Sequence, residues 1–180
     1  TELSRRALIV AGLTAAPGLS LAQPQVAPKA PPLKPPYPVV GRVERLDPAL
    51  DALIDVDAKV EKVLDGFVWS EGPVWIGGPD GYLLLSDVRA NRIMRWSNRT
   101  GGSVWLEPGG YEGPGKRGWD PGLSEPGTNG LTLARGGLVV ADSGNRWVGR
   151  IDLRTKKKTP LAERFEGKRL NSPNDVILAP

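Results

Sequence analysis

Residues 71–96 have the sequence EGPVWIGGPDGYLLLSDVRANRIMRW, and residues 129–151 repeat that pattern as NGLTLARGGLVVADSGNRWVGRI. In both copies a short apolar segment is followed by a glycine-containing turn and by a second apolar segment that ends in aspartate. An arginine then follows eight residues after that aspartate. Short apolar segments bounded by glycine favour β-strands over helices. The chain therefore contains an internal repeat that is built from short strands.

The spacing of the repeat indicates an architecture. A third copy starts at Asn174, so the starting residues Glu71, Asn129 and Asn174 are separated by 58 and 45 residues. Repeats of ~40–50 residues with about four strands each are typical of β-propeller blades. The longer first interval contains a stretch rich in glycine and proline, Gly101–Gly127. A β-sandwich would also contain short strands, but it would not show this recurrence. We predict an all-β fold made of propeller blades.

The N-terminus has the pattern of an export signal. Arg5 and Arg6 precede a short apolar run, Ala7–Ala16, and small residues follow. Paired arginines before such a run are the twin-arginine signature, so we predict a signal peptide over residues 1–22. The alternative is a membrane anchor, but the run is too short to span ~30 Å of hydrocarbon and is interrupted by Pro17. We expect a periplasmic or secreted protein that uses the export machinery and has no stable membrane anchor.

A proline-rich segment follows the predicted signal peptide. Seven prolines lie between Pro24 and Pro38. Such a segment favours extended conformations and cannot bury a core. We predict a linker over residues 23–40 and a folded domain over residues 41–180.

Composition and charge exclude several classes of function. The sequence pI is about 9.5, but residues 1–40 carry four basic residues and one acidic residue, while the rest of the chain carries 20 basic and 19 acidic residues. The predicted domain therefore lacks the concentrated positive charge of a nucleic-acid-binding surface. The sequence has no cysteine and no histidine, which excludes disulfides, thiolate or imidazole metal ligands and a cysteine nucleophile.

Three polar residues open the repeated segments, and they are the candidates for chemistry. The first residue of the innermost strand of a blade lies at one mouth of the central channel, so Glu71, Asn129 and Asn174 would converge there. Carboxylate and amide oxygens suit calcium or another hard divalent cation, and not zinc. The alternative is that these residues only open strands, because asparagine before glycine or aspartate is common in turns. We interpret Asp87 and Asp142, which end the second segments, as caps of local amides, and the alternative is a role in the channel.

A phosphate-binding loop is a weaker hypothesis. Residues 110–116 have the glycine and lysine spacing of such a loop. However, Arg117 occupies the position where serine or threonine would hold magnesium, and Pro114 removes an amide donor. We reject this interpretation.

Several motifs together resemble the gluconolactonase, or regucalcin-like (senescence marker protein), family. They are SEGPVW at residues 70–75, GTNGLTL at 127–133, GNR at 144–146 and LNSPNDV at 170–176. The motifs occur in the order and with the separations of the family, and the resemblance covers residues 59–180. It is specific because several motifs agree, whereas the first motif or the Asn-Asp motif alone would be weak.

The resemblance implies a six-bladed β-propeller with a divalent cation, often calcium, on its axis. It implies that Glu71 is a metal ligand and that Asn174 lies beside the metal and faces the substrate. It places Asn129 at a channel-facing, substrate-binding position whose role varies. The family's other metal-binding residues, including the aspartate that serves as base, belong to later blades, so the catalytic residue would lie beyond Pro180. We accordingly expect two blades and the start of a third, an incomplete propeller that is inactive by itself.

The resemblance also implies a function, the metal-dependent hydrolysis of sugar lactones or related esters. The alternative is a non-enzymatic propeller that serves as a binding or scaffold module, because a fold does not fix a function. A scaffold has no need for a carboxylate and amides around one axis.

We predict a lid beside this site. The stretch Gly101–Gly127 precedes the inner strand of the second blade, so it should emerge at the mouth that carries Glu71. With Trp105, Tyr111 and Trp119 among glycines, we expect a mobile lid or a pocket wall. The alternative is a surface insertion whose aromatic residues pack on the blade.

Overall fold

The computed structural model describes residues 33–113 and 125–179. The predicted signal peptide, the first part of the predicted linker and the middle of the predicted lid, including Trp119, lie outside the described residues.

The described chain consists of strands, turns and one 3₁₀ helix, Pro48–Ala52, so the all-β prediction is confirmed. Asp47 caps this helix by accepting a hydrogen bond from the backbone N–H of Ala49 at 2.7 Å. None of the helices in residues 33–113 and 125–179 is long and apolar enough to cross a bilayer. The strands are β1 Val39–Gly41, β2 Val60–Glu61, β3 Ser70–Ile76, β4 Tyr82–Asp87, β5 Arg92–Ser97, β6 Gly101–Leu106, β7 Thr128–Ala134, β8 Gly137–Asp142, β9 Trp147–Asp152, β10 Lys158–Ala162, β11 Arg164–Phe165 and β12 Lys168–Arg169.

Two four-stranded antiparallel sheets form the body of the molecule. Their strand orders are β3-β4-β5-β6 and β10-β9-β8-β7, so each sheet is a meander in which successive strands are neighbours. The second apolar segment of each copy, which ends in aspartate, forms β4 in the first sheet and β8 in the second. Two two-stranded sheets, β1-β2 and β11-β12, complete the strands.

The register shows that the sheets are copies of one unit. Asp87 pairs with Arg92 in the first sheet, and Asp142 pairs with Trp147 in the second. Three residues further along, Leu84 pairs with Arg95 and Val139 pairs with Arg150. The arginine that follows eight residues after the aspartate therefore occupies the same place in both sheets.

One part of the sequence alignment is shifted by one residue. In the sequence, Asn91 aligns with Asn145. In the structure, Asn91 directly precedes Arg92, the strand partner of Asp87, whereas the residue that directly precedes Trp147, the strand partner of Asp142, is Arg146. Both have a left-handed backbone, with φ of 52° and 60°. The turn conformation is therefore repeated, although the residue type is not.

The core lies between the two sheets. Ile76, Leu84 and Ile93 from the first sheet form one buried cluster with apolar residues of the second. The contributors from the second sheet are Leu131, Leu138, Val140 and Ile151. Burying a side chain of this size stabilises the fold by about 1.5–3 kcal/mol, so this cluster holds the sheets face to face.

The two inner strands carry the same irregularity at the same place. The pairing shifts between Glu71 and Val74 in β3 and between Thr128 and Leu131 in β7. Gly72 lies in the first of these bulges with φ of 54°, and a Cβ there would come within 2.8 Å of the backbone N of Leu131. Glycine therefore lets β3 approach β7 at backbone distance.

Three boundaries differ from the sequence expectations. Tyr37 is buried, and Trp96 Nε1 donates a hydrogen bond to its hydroxyl at 3.1 Å, so folded contacts begin within the segment predicted as linker. Residues 101–106, predicted as the start of a lid, form β6. Residues 170–179, which contain the predicted start of a third copy, form no strand.

Candidate functional site

A cleft of about 380 Å³ opens at the starts of the two inner strands. Glu71 lines it from β3, Asn129 lines it from β7, and Asn174 with Asp175 lines it from the segment that follows β12. Ser70 pairs with Asp87 and Thr128 pairs with Asp142, so Glu71 and Asn129 occupy equivalent places in the two sheets. The structure thus brings together all three residues that the repeat singles out.

Glu71 is half-buried at the start of β3. Its Oε1 accepts a hydrogen bond from Nε1 of Trp69 at 3.0 Å. The guanidinium carbon of Arg89 lies 5.4 Å from the centroid of the Trp69 ring, within the range of a cation–π contact. The sequence repeat did not identify Trp69, because nothing at the equivalent place in the second copy is aromatic.

Asn129 is buried in the cleft, with 2% of its surface exposed. Its Nδ2 donates to Oδ1 of Asn174 at 2.9 Å. Its own carbonyl oxygen accepts a hydrogen bond from the hydroxyl of Ser86 at 2.8 Å. Protein groups therefore engage both its side-chain N–H and its backbone carbonyl.

The segment that carries Asn174 is held against β7 by its backbone. Gly130 N donates to the carbonyl oxygen of Asn174 at 2.9 Å. A Cβ at Gly130 would lie 2.8 Å from Cα of Asp175, so glycine is needed for this approach. The side chains of Asn174 and Asp175 themselves are exposed.

Asp175 is a carboxylate that the ligand prediction did not include. It lines the same cleft, and its Oδ1 accepts a hydrogen bond from the backbone N of Val176 at 2.8 Å. Its position directly after Asn174 is the signal that could have identified it.

The chemistry of these side chains fits a hard cation in part. The cleft presents carboxylate oxygens of Glu71 and Asp175 and the amide oxygen of Asn174, which are ligand types that calcium accepts. Within residues 33–113 and 125–179 no group of three or more aspartate, glutamate, histidine or cysteine side chains is gathered in a metal-binding arrangement. The described residues therefore offer part of a coordination shell, in which two ligands would be carboxylates and one would be an amide oxygen.

The flanks of the predicted lid lie at the same end of the sheets as Glu71. The last residue of β6, Leu106, lies in the same row across the sheet as Glu71. The row is Glu71, Ser86, Ile93 and Leu106, each paired with the next. On the other flank, Gly127 N donates to the carbonyl oxygen of Val88 at 2.9 Å. The connection therefore leaves and re-enters on the side that we predicted.

The first part of that connection is clamped, which contradicts a lid that is mobile over its whole length. Asn91 Oδ1 accepts a hydrogen bond from Gly110 N at 2.7 Å, and Asn145 Nδ2 donates to Gly110 O at 2.9 Å. Lys158 Nζ donates to two carbonyls of residues 108–112 at 2.8 Å. Side chains from both sheets thus fix this segment, because its own backbone groups have no strand to pair with.

Trp105 also has a structural role. It is partly buried against the core cluster, and Nζ of Lys156 lies 3.2 Å from its ring centroid. This agrees with the alternative in which the aromatic residues of the stretch pack on the blade.

Both strand-ending aspartates cap backbone amides, but only Asp142 caps a local one as predicted, because the amides that Asp87 binds lie 18 and 19 residues earlier in the chain. Their electrostatic settings also differ. Asp87 accepts hydrogen bonds from the backbone N of Val68 and Trp69 and pairs with Arg92 at 2.8 Å. Asp142 accepts a hydrogen bond from the backbone N of Asn145 at 2.9 Å. Burial raises the pKa of the Asp142 carboxyl above its usual value, and the hydrogen bonds from Asn145 oppose this rise.

Comparison with known proteins identifies relatives of this arrangement. Residues 69–180 match the family model described as the SMP-30/gluconolactonase/LRE-like region. A gluconolactonase from Zymomonas mobilis subsp. mobilis is 36% identical over 141 residues, which is 78% of this chain and 38% of that protein. The chain therefore spans well under half the length of this curated relative.

Two solved structures have a similar fold. A gluconolactonase from Xanthomonas campestris, described as important in glucose secondary metabolic pathways, superposes with a TM-score of 0.57 at 30% identity, over 86% of this chain and 45% of that one. A second X-ray structure, of a protein assigned as a gluconolactonase, gives a TM-score of 0.52 at 34% identity, over 67% of this chain and 36% of that one. The family match covers both inner strands and the segment of Asn174, and the chain belongs to the SMP-30/gluconolactonase/LRE-like family.

Proposed function

We propose that this chain is part of a metal-dependent hydrolase of sugar lactones or related esters, exported to the periplasm. The observation that carries the proposal is the convergence of Glu71, Asn129 and Asn174 on one cleft of about 380 Å³. A lactone hydrolase must stabilise negative charge on the carbonyl oxygen. A carboxylate and amides that bind a cation in this cleft would serve that purpose.

Glu71 and Asn174 are the residues that would hold a calcium ion or another divalent cation. Such an ion, when bound, supplies a Lewis acid that polarises the lactone carbonyl. Glu71 contributes negative charge from a half-buried position. Asn174 contributes a neutral oxygen, and its backbone is fixed by Gly130 at 2.9 Å. We expect the base that activates water to lie outside these residues.

The wider architecture that we propose is a six-bladed β-propeller. Two meandering sheets of four strands, in contact through their inner strands β3 and β7, are what two successive blades would look like. A ring of six such units at ~45 residues each needs roughly 270 residues. The activity therefore belongs to the complete ring, with this chain contributing two blades and part of the metal site.

The test is lactone hydrolysis by the product of the complete reading frame that contains these 180 residues. We expect hydrolysis of glucono-1,5-lactone or another sugar lactone that is lost with EDTA and restored by calcium or another divalent cation. Undiminished hydrolysis in EDTA would overturn the metal dependence. A folded protein that hydrolyses no lactone of an aldonic or uronic acid series would instead support the scaffold alternative.

A further inference from the structure

Backbone hydrogen bonds fix Trp69 so that its ring lies beside Glu71. Its backbone N donates to Oδ1 of the buried Asp87 at 3.0 Å, and its carbonyl accepts from the backbone N of Val88 at 2.9 Å. Arg89 covers one face of the ring. With the backbone fixed on both sides and the ring packed, the indole N–H reaches Glu71 Oε1 at 3.0 Å.

Asn129 is placed in the same way behind Asn174. With 2% of its surface exposed, it has little area to offer to a substrate, in contrast to the role that the family resemblance implies. Its Nδ2 instead donates to Asn174 Oδ1 at 2.9 Å. An amide oxygen has two lone pairs, so this bond occupies one of them and fixes the direction of the other.

We infer that Trp69 and Asn129 are positioning residues, whose side-chain N–H groups orient Glu71 and Asn174 for cation binding. This inference rests on the proposed function, since it needs a cation at the cleft. Groups that orient metal ligands typically contribute 10–100-fold to metal affinity. Because the bond between Trp69 and Glu71 is solvent-exposed, we expect a smaller effect there.

The experiment for Trp69 is calcium titration by calorimetry on the product of the complete reading frame. The Trp69→Phe substitution removes the N–H and keeps a ring for Arg89. The matched control is Trp75→Phe in β3, where the ring packs over Gly81. We expect calcium affinity to fall about fivefold in Trp69→Phe and to stay unchanged in Trp75→Phe.

Asn129→Asp separates positioning from direct contact. The substitution keeps the shape of the side chain but replaces the amide donor by an acceptor, which repels Asn174 Oδ1. A positioning role predicts roughly tenfold weaker calcium binding, despite the added negative charge. If Asn129 were itself a ligand, the new carboxylate would strengthen calcium binding. If it only contacted substrate, calcium affinity would stay constant while KM changed.

The outcomes are distinct. Thermal unfolding in EDTA shows whether each variant folds without the ion. If Asn129→Asp does not fold, Trp69→Phe still tests the inference, because Trp69 is partly exposed and its substitution should be tolerated. Unchanged calcium affinity in Trp69→Phe, or unchanged or stronger binding in Asn129→Asp, overturns the inference while the proposed function stands. A parent protein that hydrolyses lactones and binds no divalent cation refutes the metal site itself, and with it the inference.

Discussion

The hydroxyl oxygens of Ser86 and Thr128 lie 2.9 Å apart across the interface between the two sheets. Both side chains are fully buried. Ser86 donates its proton to the carbonyl oxygen of Asn129 at 2.8 Å, so Thr128 supplies the proton between the two hydroxyls. This pair links β4 to the start of β7 directly behind the cleft, and it fixes how the two sheets are positioned at the candidate site.

Substitution of Ser86 should therefore destabilise the fold. Ser86→Ala leaves the Thr128 hydroxyl and the Asn129 carbonyl without this partner, and we expect the free energy of unfolding to fall by about 1–3 kcal/mol. Thr128→Val, which keeps the shape, should cost less because the bond to Asn129 remains. Urea unfolding measures both, with the exposed Ser103→Ala as control. Equal costs for the two variants would contradict the assigned direction of donation.

The two strand-ending aspartates should respond differently to neutralisation. Asp87→Asn leaves Arg92, whose side chain is 13% exposed, without its charge partner, and we expect a loss of about 3 kcal/mol. Asp142→Asn should cost only about 1 kcal/mol, because burial already disfavours the charge there. Chemical denaturation at pH 7 compares them. The interpretation fails if Asp142→Asn is the more damaging change.

The same comparison has a predicted pH dependence. Because the pKa of Asp142 is raised in the folded state, the folded protein takes up this proton before the unfolded chain does. The wild type should therefore gain stability relative to Asp142→Asn as pH falls through that raised pKa toward the ordinary value of 3.8. A constant difference over this range would argue against the raised pKa.

The sequence predicted those parts of the structure that depend on local pattern. The strands β4 and β8 are bounded by glycine turns and end in aspartate, so their limits could be read directly. The convergence of Glu71, Asn129 and Asn174 followed from counting residues within a repeat.

What the sequence did not predict depends on contacts between distant segments. The burial of Tyr37 results from Trp96, 59 residues away, and a proline-rich composition gives no sign of it. The clamp on residues 108–112 needs Asn91, Asn145 and Lys158 from three different strands or turns. The bond from Trp69 to Glu71 depends on a rotamer, which no spacing rule specifies.

Lys156 should make stability depend on pH in alkaline solution. Burial and the charge of Arg95 lower its pKa to about 8, against the opposing charge of Asp152. Between pH 8 and 10.5 the unfolded chain keeps a proton that the folded protein has lost, so the stability of the wild type should rise with pH. The rise should stay well below the ~1.4 kcal/mol per pH unit of a full proton difference, because the side chain is only partly buried and solvent screens its charge.

Lys156→Gln should remove this rise, and the exposed neighbour Lys157→Gln should keep it. Urea unfolding between pH 7 and 10 gives the comparison. Parallel pH profiles for the wild type and Lys156→Gln would mean that the pKa of Lys156 is not lowered in the folded protein.

Export is predicted to depend on the paired arginines. Changing Arg5 and Arg6 to lysine keeps the charge but removes the twin-arginine signature. A reporter fused after residue 40 should then stay in the cytoplasm instead of reaching the periplasm. Cell fractionation measures the distribution, and Lys29→Arg in the predicted linker serves as control. Unchanged periplasmic delivery would remove the twin-arginine assignment.

The last prediction separates the two proposed ligands. Glu71→Gln keeps the size of the side chain but supplies no charge to a hard cation. We expect calcium affinity of the complete protein to fall by more than about tenfold, the equivalent of 1.4 kcal/mol, with lactone hydrolysis falling in parallel. Glu61→Gln, exposed in β2, is the matched control.

Asn174→Ala should show the complementary behaviour. Asn174 is exposed and its segment is held by the backbone bond from Gly130, so the main cost to folding is the lost partner of Asn129 Nδ2. The free energy of unfolding in EDTA should fall by only about 1 kcal/mol. Hydrolysis should nevertheless fall strongly, because an oxygen that faces the cleft is lost. Asn171→Ala, on the same exposed segment, should leave both properties intact. Calorimetry that finds unchanged calcium affinity for Glu71→Gln would exclude Glu71 as a ligand, and normal turnover by Asn174→Ala would exclude Asn174 from the site.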